Sequence, residues 1–462
     1  MTSKRPMVQI HQRSLNLSMN TLKDHREIGR KLDLFSFHEY APGAVFWHPK
    51  GLIIYHQIMK LIRSILNKSG YQEIKTPVMV KNQLFIKSGH FKHFGKHNMF
   101  NLAIYEDEEI KAKKIKFDEE TGTVEVNYSL KPMNCPESTL IYNTHARSYR
   151  DLPLKFSDFG VLHRRELSGV IGGLFRLREF TIDDAHIYCR KDQIMDIVSE
   201  LLNQIKIFYD IFGLPLRFYL STKPDKALAL PDHPSLWEEA ENDLKKALES
   251  AHIKYGIKEK DGAFYGPKID FHITDSQERD WQLATVQLDF KMPRPLDVMY
   301  TNEKGKKEYA VIVHRAFTGS IERFIGILIE HFQGNLPLWL APIQVAVLPV
   351  SDEFLSFARE VGKQLEGENV RVAVNCESKT LGAKIRDCSL QKIPYMVIIG
   401  KREYEKSRST TKDVQTTWVA VRTGQNLRIG GQKAMKKPFG KEECSLYEFL
   451  THVKQHIENK IL

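Results

Sequence analysis

The amino-acid sequence predicts a mixed α+β fold, in which a largely antiparallel sheet is followed by a small α/β domain. In the first two thirds of the chain, strand-like runs alternate unevenly with helices, which is typical of antiparallel sheets with helices on one side. After a proline-punctuated segment at residues 334–342, short β-rich runs alternate regularly with helices, which favours some parallel pairing. The length of 462 residues also exceeds what one hydrophobic core usually organises.

We expect a basic N-terminal extension at residues 1–35, a main domain at 36–335 and a C-terminal domain at 336–462. Residues 1–23 contain four basic side chains and no acidic one. Mitochondrial presequences have this composition, and an ordinary frayed terminus can share it. Residues 101–126 are strongly charged and predict a solvated hairpin or loop insertion without a chemical role.

Charge and cysteine content restrict the classes of function. A net charge of +11 favours a polyanionic partner such as nucleic acid, although a generally basic surface is the alternative. Five cysteines without a close C-x-x-C pair argue against a disulfide framework and favour a reducing interior. No run approaches the roughly 18 apolar residues that a membrane span requires, so we expect no membrane partner.

Residues 155–188 carry the strongest chemical signal. Two strand-like runs flank a loop that contains four arginines, among them Arg164 and Arg176, together with three glycines. Guanidinium groups match phosphate oxygens, and glycine lets the backbone approach a ligand closely. In the second strand, period-two alternation places Asp184 and His186 on one face. The stretch therefore predicts a polyphosphate at its loop and a metal or polar substrate further along the strand.

Two further positions suit ligand binding. Cys135 lies between two prolines at the predicted start of a helix, where it could be a ligand or a reactive thiol, although a buried structural cysteine is commoner. Arg323 lies in the first turns of a long apolar helix, whose amino end attracts phosphate. His93 and His97 have metal-like spacing, but without a companion ligand we interpret them as surface histidines.

Several separate stretches resemble class II aminoacyl-tRNA synthetases and, among these, the threonyl-tRNA synthetase family. They are DHREIGRKLDLF, APGAVFWHPKG, YSLKPMNCP, SYRDLPL, FGVLHRRE, FRLREFTIDDAHIY, GAFYGPKID, WQLATVQLDF, VHRAFTGSIERFIGILIE, LGAKIRD and VAVRT. The resemblance spans nearly everything from Asp24 onward. It implies a class II antiparallel catalytic core followed by an anticodon-binding domain. It also implies ATP-dependent ligation of threonine to tRNA(Thr) through a threonyl-adenylate.

The same resemblance assigns the ATP site. Arg164 and Arg323 are the expected catalytic residues: Arg164 contacts the α-phosphate and the threonine carboxylate, and Arg323 lies on the opposite side of the triphosphate. Magnesium is expected to act with them mainly by charge neutralisation. The other implied ATP-binding residues are Glu166 for the adenine amino group, Arg176 for the γ-phosphate, Phe180 for adenine stacking, and Gln282.

The family carries a zinc ion that holds the amino acid, and its ligands fall on Cys135, His186 and His314. Three protein ligands leave positions at which the threonine amine and hydroxyl can coordinate. Valine lacks the hydroxyl, so we expect its rejection. The implied threonine-binding residues are Asp184, Tyr265, Lys268 and Gln282.

Two residues depart from the family pattern. Ile182 stands where a glutamine that contacts the substrate carboxylate is common, and Ser378 stands where an asparagine is common near the anticodon. Glu403 and Arg422 fall at positions that the family uses for anticodon bases.

Pro77 matches the dimer motif and predicts a homodimer.

The resemblance begins so early that we expect no N-terminal domain for hydrolysis of mischarged seryl-tRNA. The His93–His97 pair lies inside the catalytic core, so we assign it no editing role. A compact form with a basic N-terminus resembles the mitochondrial enzyme, which favours the mitochondrial matrix over the cytoplasm. The competing interpretations are a neighbouring class II synthetase for serine, proline or glycine, and a paralogue that only binds RNA.

Overall fold

A computed structural model describes residues 23–104, 117–118, 123–124, 126–225, 235–408, 417–424, 443–460 and 462. Residues 1–22, on which the presequence interpretation rests, lie outside this range. So do most of the charged insertion at residues 101–126 and residues 409–416 and 425–442 near the C-terminus. The side chains of His93 and His97 are also outside the described set.

The described strands are, in chain order, β1 (Phe35–Ser36), β2 (Phe46–Trp47), β3 (Gln72–Glu73), β4 (Met79–Lys81), β5 (Asn101–Leu102), β6 (Phe117–Asp118), β7 (Thr123–Val124), β8 (Tyr128–Leu130), β9 (Leu154–His163), β10 (Glu179–Cys189), β11 (Leu216–Ser221), β12 (Tyr255–Lys258), β13 (Lys268–Thr274), β14 (Asp280–Asp289), β15 (Met299–Thr301), β16 (Lys307–Tyr309), β17 (Val311–Ala316), β18 (Val345–Pro349), β19 (Val372–Val374), β20 (Tyr395–Ile399), β21 (Trp418–Thr423) and β22 (Glu443–Ser445). The described α-helices are α1 (His25–Leu32), α2 (Pro49–Lys68), α3 (Asn82–Lys87), α4 (His90–Asn98), α5 (Cys135–Tyr142), α6 (Ile194–Asp210), α7 (Leu236–Ser250), α8 (Ile321–His331), α9 (Leu355–Gly367), α10 (Leu381–Leu390), α11 (Lys401–Arg408) and α12 (Leu446–Glu458).

The main domain is built on one large sheet. Among the described residues it has eight strands in the order β12-β11-β13-β14-β17-β10-β9-β3. All neighbouring pairs are antiparallel except the two at the edges, β11 with β12 and β3 with β9. The predicted α+β class with a largely antiparallel sheet is therefore confirmed.

One face of this sheet forms the main core. Strand alternation places apolar side chains such as Ala185, Ile187 and Val313 on that face, where all are fully buried. Buried faces of α2, α6 and α8 complete the same cluster. The sequence predicts α2 as a helix at residues 51–70, whereas it begins two residues earlier because Pro49 suits the first helical turn.

The opposite face aligns polar side chains from four strands. Directly opposite residues of an antiparallel pair point to the same side of the sheet. His186 on β10 lies opposite His314 on β17, and His314 lies opposite Gln287 on β14. Gln287 in turn lies opposite Lys268 on β13. Asp184, two residues before His186 in β10, lies on the same face. The sheet register thus collects chemically active groups from distant parts of the chain.

The C-terminal domain contains a second sheet in the order β19-β18-β20-β21-β22. The first three strands are parallel and the last two are antiparallel to their neighbours. The apolar cluster of this sheet includes side chains of α9 and α12. The small α/β domain predicted for this region is thereby confirmed.

The segments at both ends of the main domain contribute buried side chains to the hydrophobic cores, although the sequence predicts an extension and a linker there. Ile28 and Phe35, which the sequence assigns to the extension, are buried in the main core. In the proline-punctuated segment, Trp339 and Leu340 belong to the main core and Leu338 belongs to the C-terminal one. Along the described ranges, no helix is both long and apolar enough to cross a bilayer.

Candidate active site

Three metal-ligating side chains meet in the polar face of the main sheet. Cys135 is the first residue of α5, and His186 and His314 lie opposite each other on β10 and β17. One ligand atom from each residue lies within 4.8 Å of the other two, and the Cys135 Sγ is 3.4 Å from the His314 Nδ1. All three side chains are buried. The residues that the family resemblance assigns to zinc are therefore brought together.

The electrostatics of this cluster suit a cation. Burial raises the pKa of the Cys135 thiol well above its usual value, and the carboxylates of Asp184 and Asp289 act in the same direction. Burial, followed by the charge of His314, holds the pKa of His186 well below its usual value. Both ring nitrogens of His186 are buried without a hydrogen-bond partner among the described residues. One thiol and two imidazoles arranged in this way fit a zinc ion that retains open coordination positions.

Asp289 supports the cluster from behind. Its Oδ2 lies 3.2 Å from the Nε2 of His314, while the Nδ1 of that ring faces Cys135. A carboxylate in this position fixes the tautomer of a histidine ligand and makes the ligand nitrogen more basic. The sequence analysis did not assign Asp289, although its spacing of two residues from Gln287 predicts the same strand face.

Further polar side chains lie beside the Cys135, His186 and His314 cluster. Burial raises the pKa of Asp184 to about 6, and His314 and the Asn134 amide act in the opposite direction. The Asn134 Nδ2 lies 3.3 Å from the Asp184 Oδ2. Asn134 can approach because Gly160 faces it: a Cβ on Gly160 would lie only 2.0 Å from the Asn134 Oδ1. Asn134 is a site residue that the sequence analysis did not assign.

Tyr265 and Gln287 lie on the side of His314 that faces away from His186. The Tyr265 hydroxyl donates to the Gln287 side chain, and the Tyr265 ring centroid lies 5.2 Å from that of His314. Tyr265 is an expected threonine-binding residue, whereas Gln287 was not assigned. Lys268, also expected, lies 2.8 Å from the buried Asp270 carboxylate.

Gln282 occupies a different place from Gln287. The pairing of β13 with β14 shifts between Asp270 and His272, so that Gln282 returns to the polar face opposite His272. Its Nε2 donates to the Asp270 Oδ1 at 2.5 Å. Gln282 and Lys268 therefore both bind the Asp270 carboxylate. Gln287 is the glutamine that lies beside His314 and its cluster.

The loop between β9 and β10, residues 164–178, is called the arginine loop below because it carries four arginines. It lies at the other end of this face. Arg164 follows β9, its Nε donates to the Pro132 carbonyl, and its guanidinium lies 5.2 Å from the centre of the Phe180 ring and 5.5 Å from that of Phe94. Arg323 lies in the first turn of α8, where its backbone N–H is capped by Ser320.

The loop and α8 together form an electropositive site. Burial is the main cause that lowers the pKa of both Arg164 and Arg323, and neighbouring arginines add to it while Glu166 opposes it. Arg176 and Glu166 form an ion pair of 2.9 Å. Glu166 thus pairs with Arg176, and its charge also reaches Arg164 and Arg323. Three guanidinium groups near one carboxylate leave an excess of positive charge, which favours a bound polyanion.

Ile182 also lies on the polar face, between Phe180 and Asp184 and opposite Gly160. It offers no hydrogen-bonding group at that point. In the C-terminal domain, Glu403 lies in the first turn of α11, and its carboxylate accepts a hydrogen bond from the Gly400 N–H at 2.9 Å. Arg422 is exposed on β21.

Two family models match separate parts of this chain. Residues 116–332 match the tRNA synthetase class II core domain (G, H, P, S and T), and residues 344–424 match an anticodon binding domain. A threonine–tRNA ligase from Desulforamulus reducens is 44% identical over 440 residues, covering 95% of this chain. One from Thermotoga neapolitana is 45% identical over 391 residues, covering 84% of this chain. The chain spans only 62% and 58%, respectively, of the length of these curated relatives.

A solved structure matches over nearly its full length. It is described as the RNA binding domain of threonyl-tRNA synthetase from Cryptosporidium parvum Iowa II, and it is 33% identical with a TM-score of 0.81. The match covers 94% of this chain and 98% of that one. The chain therefore belongs to the threonyl-tRNA synthetase family of class II aminoacyl-tRNA synthetases.

Proposed function

We propose that this chain ligates threonine to tRNA(Thr) with ATP, through a threonyl-adenylate. The observation that carries the proposal is that β10 connects two sites: it begins directly after the loop that carries Arg164 and Arg176, and His186 within it belongs to the Cys135, His186 and His314 cluster. The first part suits a triphosphate and the second an amino acid with a hydroxyl. The matches to threonine–tRNA ligases support the same reaction.

In the first step, the threonine carboxylate attacks the α-phosphorus of ATP and pyrophosphate leaves. Arg164 and Arg323 hold the α-phosphate and neutralise the charge that develops there, and Mg²⁺ on the phosphates is expected to assist. In the second step, the terminal ribose hydroxyl of tRNA attacks the adenylate carbonyl and AMP leaves. Positioning supplies most of the catalysis, since neither step requires a covalent bond to the protein.

The ion pair between Arg176 and Glu166 has a consequence for ATP binding. The resemblance implies that Glu166 contacts the adenine amino group and that Arg176 contacts the γ-phosphate. Because the two side chains bind each other in this structure, each must turn toward ATP as the nucleotide enters. We propose that ATP exchanges this pair for two contacts of its own.

Cys135, His186 and His314 are proposed to hold Zn²⁺, with Asp289 fixing the orientation of His314. Bound zinc would supply Lewis-acid coordination for the amine and hydroxyl of threonine. Asp184 accepts a hydrogen bond from the substrate hydroxyl, and Tyr265 and Gln287 close the opposite wall. Ile182 contributes no polar contact, so Arg164 holds the substrate carboxylate.

This pocket predicts an order of amino-acid preference. Serine keeps the amine and hydroxyl and lacks one methyl, so its activation should be about 10- to 200-fold less efficient than that of threonine. Valine lacks the hydroxyl and leaves Asp184 unpaired, so it should be about 10⁴-fold or more less efficient. Amino-acid-dependent ATP–pyrophosphate exchange by the zinc-loaded protein measures both ratios. Valine activation that equals serine activation would show that the hydroxyl is not read here.

Serine activation raises the question of proofreading. We propose that the 462-residue chain releases seryl-tRNA without hydrolysing it. The helix that carries His93 and His97, α4, packs beside the arginine loop, where the Arg165 N–H donates to the Asn98 carbonyl. It is therefore part of the synthetic site. Incubation of purified seryl-tRNA with the chain tests this proposal, and rapid deacylation would contradict it.

The aminoacylation of mixed tRNA tests the proposed function as a whole. Threonine, serine, proline and glycine are supplied in turn with mitochondrial or cytosolic tRNA. The expected result is charging with threonine and slower charging with serine. Charging with proline or glycine would favour a neighbouring class II synthetase, and RNA binding without any activation would favour the binding paralogue. The C-terminal domain, with Glu403 and Arg422, is proposed to bind the anticodon.

We also propose that the chain forms a homodimer. Three aromatic side chains near the start of α2 are exposed: Phe37 at 40%, Tyr40 at 87% and Phe46 at 46%. An exposed apolar patch of this kind marks an interaction surface, and Pro77 matches the dimer motif. Sedimentation equilibrium should give a dimer for the wild type and a monomer for the Tyr40→Glu, Phe46→Glu double variant. Tyr447→Glu, at an exposed tyrosine of the C-terminal domain, is the control; a wild-type monomer would contradict the proposal.

A further inference from the structure

His25, at the first position of α1, lies between the two elements that supply the phosphate-binding arginines. Its side chain is almost fully buried, at 1% exposure of the residue. The ring Nδ1 lies 2.7 Å from the Glu330 Oε1 on α8. On the other side, the Leu174 N–H, in the arginine loop, donates to the ring Nε2 at 2.9 Å. One imidazole therefore connects the loop to α8.

The two hydrogen-bond partners fix the tautomer of this ring. A backbone N–H can only donate, so the Nε2 must carry the lone pair that accepts from Leu174. The Nδ1 then carries the hydrogen and donates to the Glu330 carboxylate. The His25 backbone N–H donates to the same Oε1 at 2.9 Å. Both ring nitrogens are used, so His25 is not available to bind a metal, although Asp24 and Glu330 lie nearby.

Glu330 is itself held in place and shares a helix with Arg323. The two residues are seven positions apart, which is close to two turns of α8 and places them on the same side. The Glu330 Oε2 accepts from the Gln277 Nε2 at 2.7 Å and also forms an ion pair with Arg279. The His25 contact thus reaches the helix that carries Arg323 through a fixed carboxylate.

His25 is also linked to Arg323 through Phe175 in the arginine loop. The Phe175 ring centroid lies 4.1 Å from that of His25 and 4.7 Å from that of Trp281. The Phe175 carbonyl accepts from the Arg323 Nε at 2.9 Å. Phe175 lies between Leu174 and Arg176 in the chain. A shift of Leu174 relative to α8 would therefore move Arg176 directly, and it would move Arg323 through the Phe175 carbonyl.

The loop is shaped to receive this histidine. Gly173 has a φ of +51°, and a Cβ there would lie 2.2 Å from the His25 Nε2. A side chain at position 173 would therefore push the loop away from His25 and strain the backbone. The close approach brings the Leu174 N–H within hydrogen-bonding distance.

We propose that His25 is a positioning residue for ATP. It fixes the distance between residues 172–176 and α8, and so places Arg176 and Arg323 on the triphosphate. The proposal rests on the proposed function, because it assigns ATP to these arginines. His25 touches neither substrate in this assignment. The effect should therefore appear in ATP affinity and leave the threonine side of the site unchanged.

Two isosteric variants separate the halves of the contact. In His25→Gln the amide oxygen reaches the place of Nε2, so it can accept from Leu174 while the donor to Glu330 is lost. In His25→Asn the amide nitrogen takes the place of Nδ1, so the Glu330 contact is kept and the Leu174 N–H loses its acceptor. A lost acceptor for one buried N–H corresponds to about a tenfold weakening or more. Lys31→Gln, an exposed change on the same helix, is the control.

ATP affinity by calorimetry, the KM for threonine, zinc content and Tm are measured for each variant. We expect about tenfold weaker ATP binding in His25→Asn, which loses the contact with the loop. His25→Gln should bind ATP nearly as the wild type does, because the backbone N–H of residue 25 still donates to the Glu330 Oε1. The KM for threonine and the zinc content should be unchanged in both. Unchanged ATP affinity in both variants, or equal losses that follow the fall in Tm, would overturn the proposal.

If neither variant folds, Gly173→Ala approaches the contact from the loop side and leaves His25 and Glu330 intact. It should weaken ATP binding similarly, and normal ATP binding by this variant would refute the proposal. The proposed function is judged separately by the wild type: absence of threonine-dependent pyrophosphate exchange would reject it, while the calorimetric comparison still decides the role of His25.

Discussion

Arg164→Ala is expected to lower the rate of threonyl-adenylate formation by about 10³-fold or more, because single arginines that stabilise a transferring phosphoryl group contribute on that scale. The guanidinium is fixed by the Pro132 carbonyl and by the rings of Phe94 and Phe180. Its place cannot be taken by a mobile neighbour. Single-turnover formation of labelled adenylate measures the loss at saturating threonine and ATP.

Arg165→Ala is the matched control, since it removes the same charge from the next residue, which is exposed. It should leave the rate within about threefold, the scatter expected for a surface change. Arg323→Ala should resemble Arg164→Ala, and the double variant should lose less than the sum of the two, because both side chains act on one phosphate. A rate for Arg164→Ala within tenfold of the wild type would exclude the assigned role.

Cys135→Ser is expected to remove bound zinc and threonine activation together. The thiol is one of three donors, and a hydroxyl is a poor substitute for thiolate on zinc. Since residues that merely orient metal ligands are worth about 10- to 100-fold, removal of a ligand should lower threonine-dependent exchange by at least ~10²-fold. Atomic absorption and exchange kinetics on the same preparation measure the two properties.

Cys376→Ser makes the same substitution at an exposed cysteine of the C-terminal domain and serves as the control. Asp289→Asn tests the support behind His314 and should weaken zinc binding by about 10- to 100-fold. If Cys135→Ser kept full threonine activation without zinc, the proposed role of the metal in substrate selection would be wrong. ATP binding to Cys135→Ser should remain near normal, which separates loss of zinc from loss of the fold.

Much of the fold follows from local patterns in the sequence. The helical spacing of Ile54, Ile58 and Leu61 predicts α2, and the period-two alternation around Asp184 and His186 predicts β10 and the face that both residues share. These patterns are short in range, so they do not require knowledge of the partner strands. They fail at residues 25–35, where α1 looks like a charged surface helix although Ile28 and Leu32 enter the main core.

The site is less accessible to the same reasoning because it depends on register. Gln282 and Gln287 are five residues apart in one strand, so alternation alone would place them on opposite faces. The irregular pairing near Asp270 brings both to the polar face, and Gln287 is the one that Tyr265 contacts. The joining of Cys135 to the two histidines came from family resemblance, since the spacing of the three residues in the sequence indicates no cluster. The mitochondrial location stays a prediction.

His25 was invisible for a further reason. Its partners, Glu330 and Leu174, lie 305 and 149 residues away, and neither belongs to a recognisable pattern with it. Phe94 is similar: its position beneath Arg164 results from the packing of α4 against the loop. Such contacts are set by tertiary structure and leave no periodic trace in the sequence.

The alignment of His186 with His314 also makes the site a sensitive indicator of correct folding. If β17 slipped by one residue against β10, His314 would turn into the main core and either Val313 or Arg315 would face the Cys135 thiol. The two strands are separated by more than a hundred residues of chain, so a misaligned product could keep most of its hydrogen bonds. In a refolded preparation, the zinc that we propose for this cluster would then be bound only by the molecules whose strands are correctly aligned, so zinc per chain would measure their fraction.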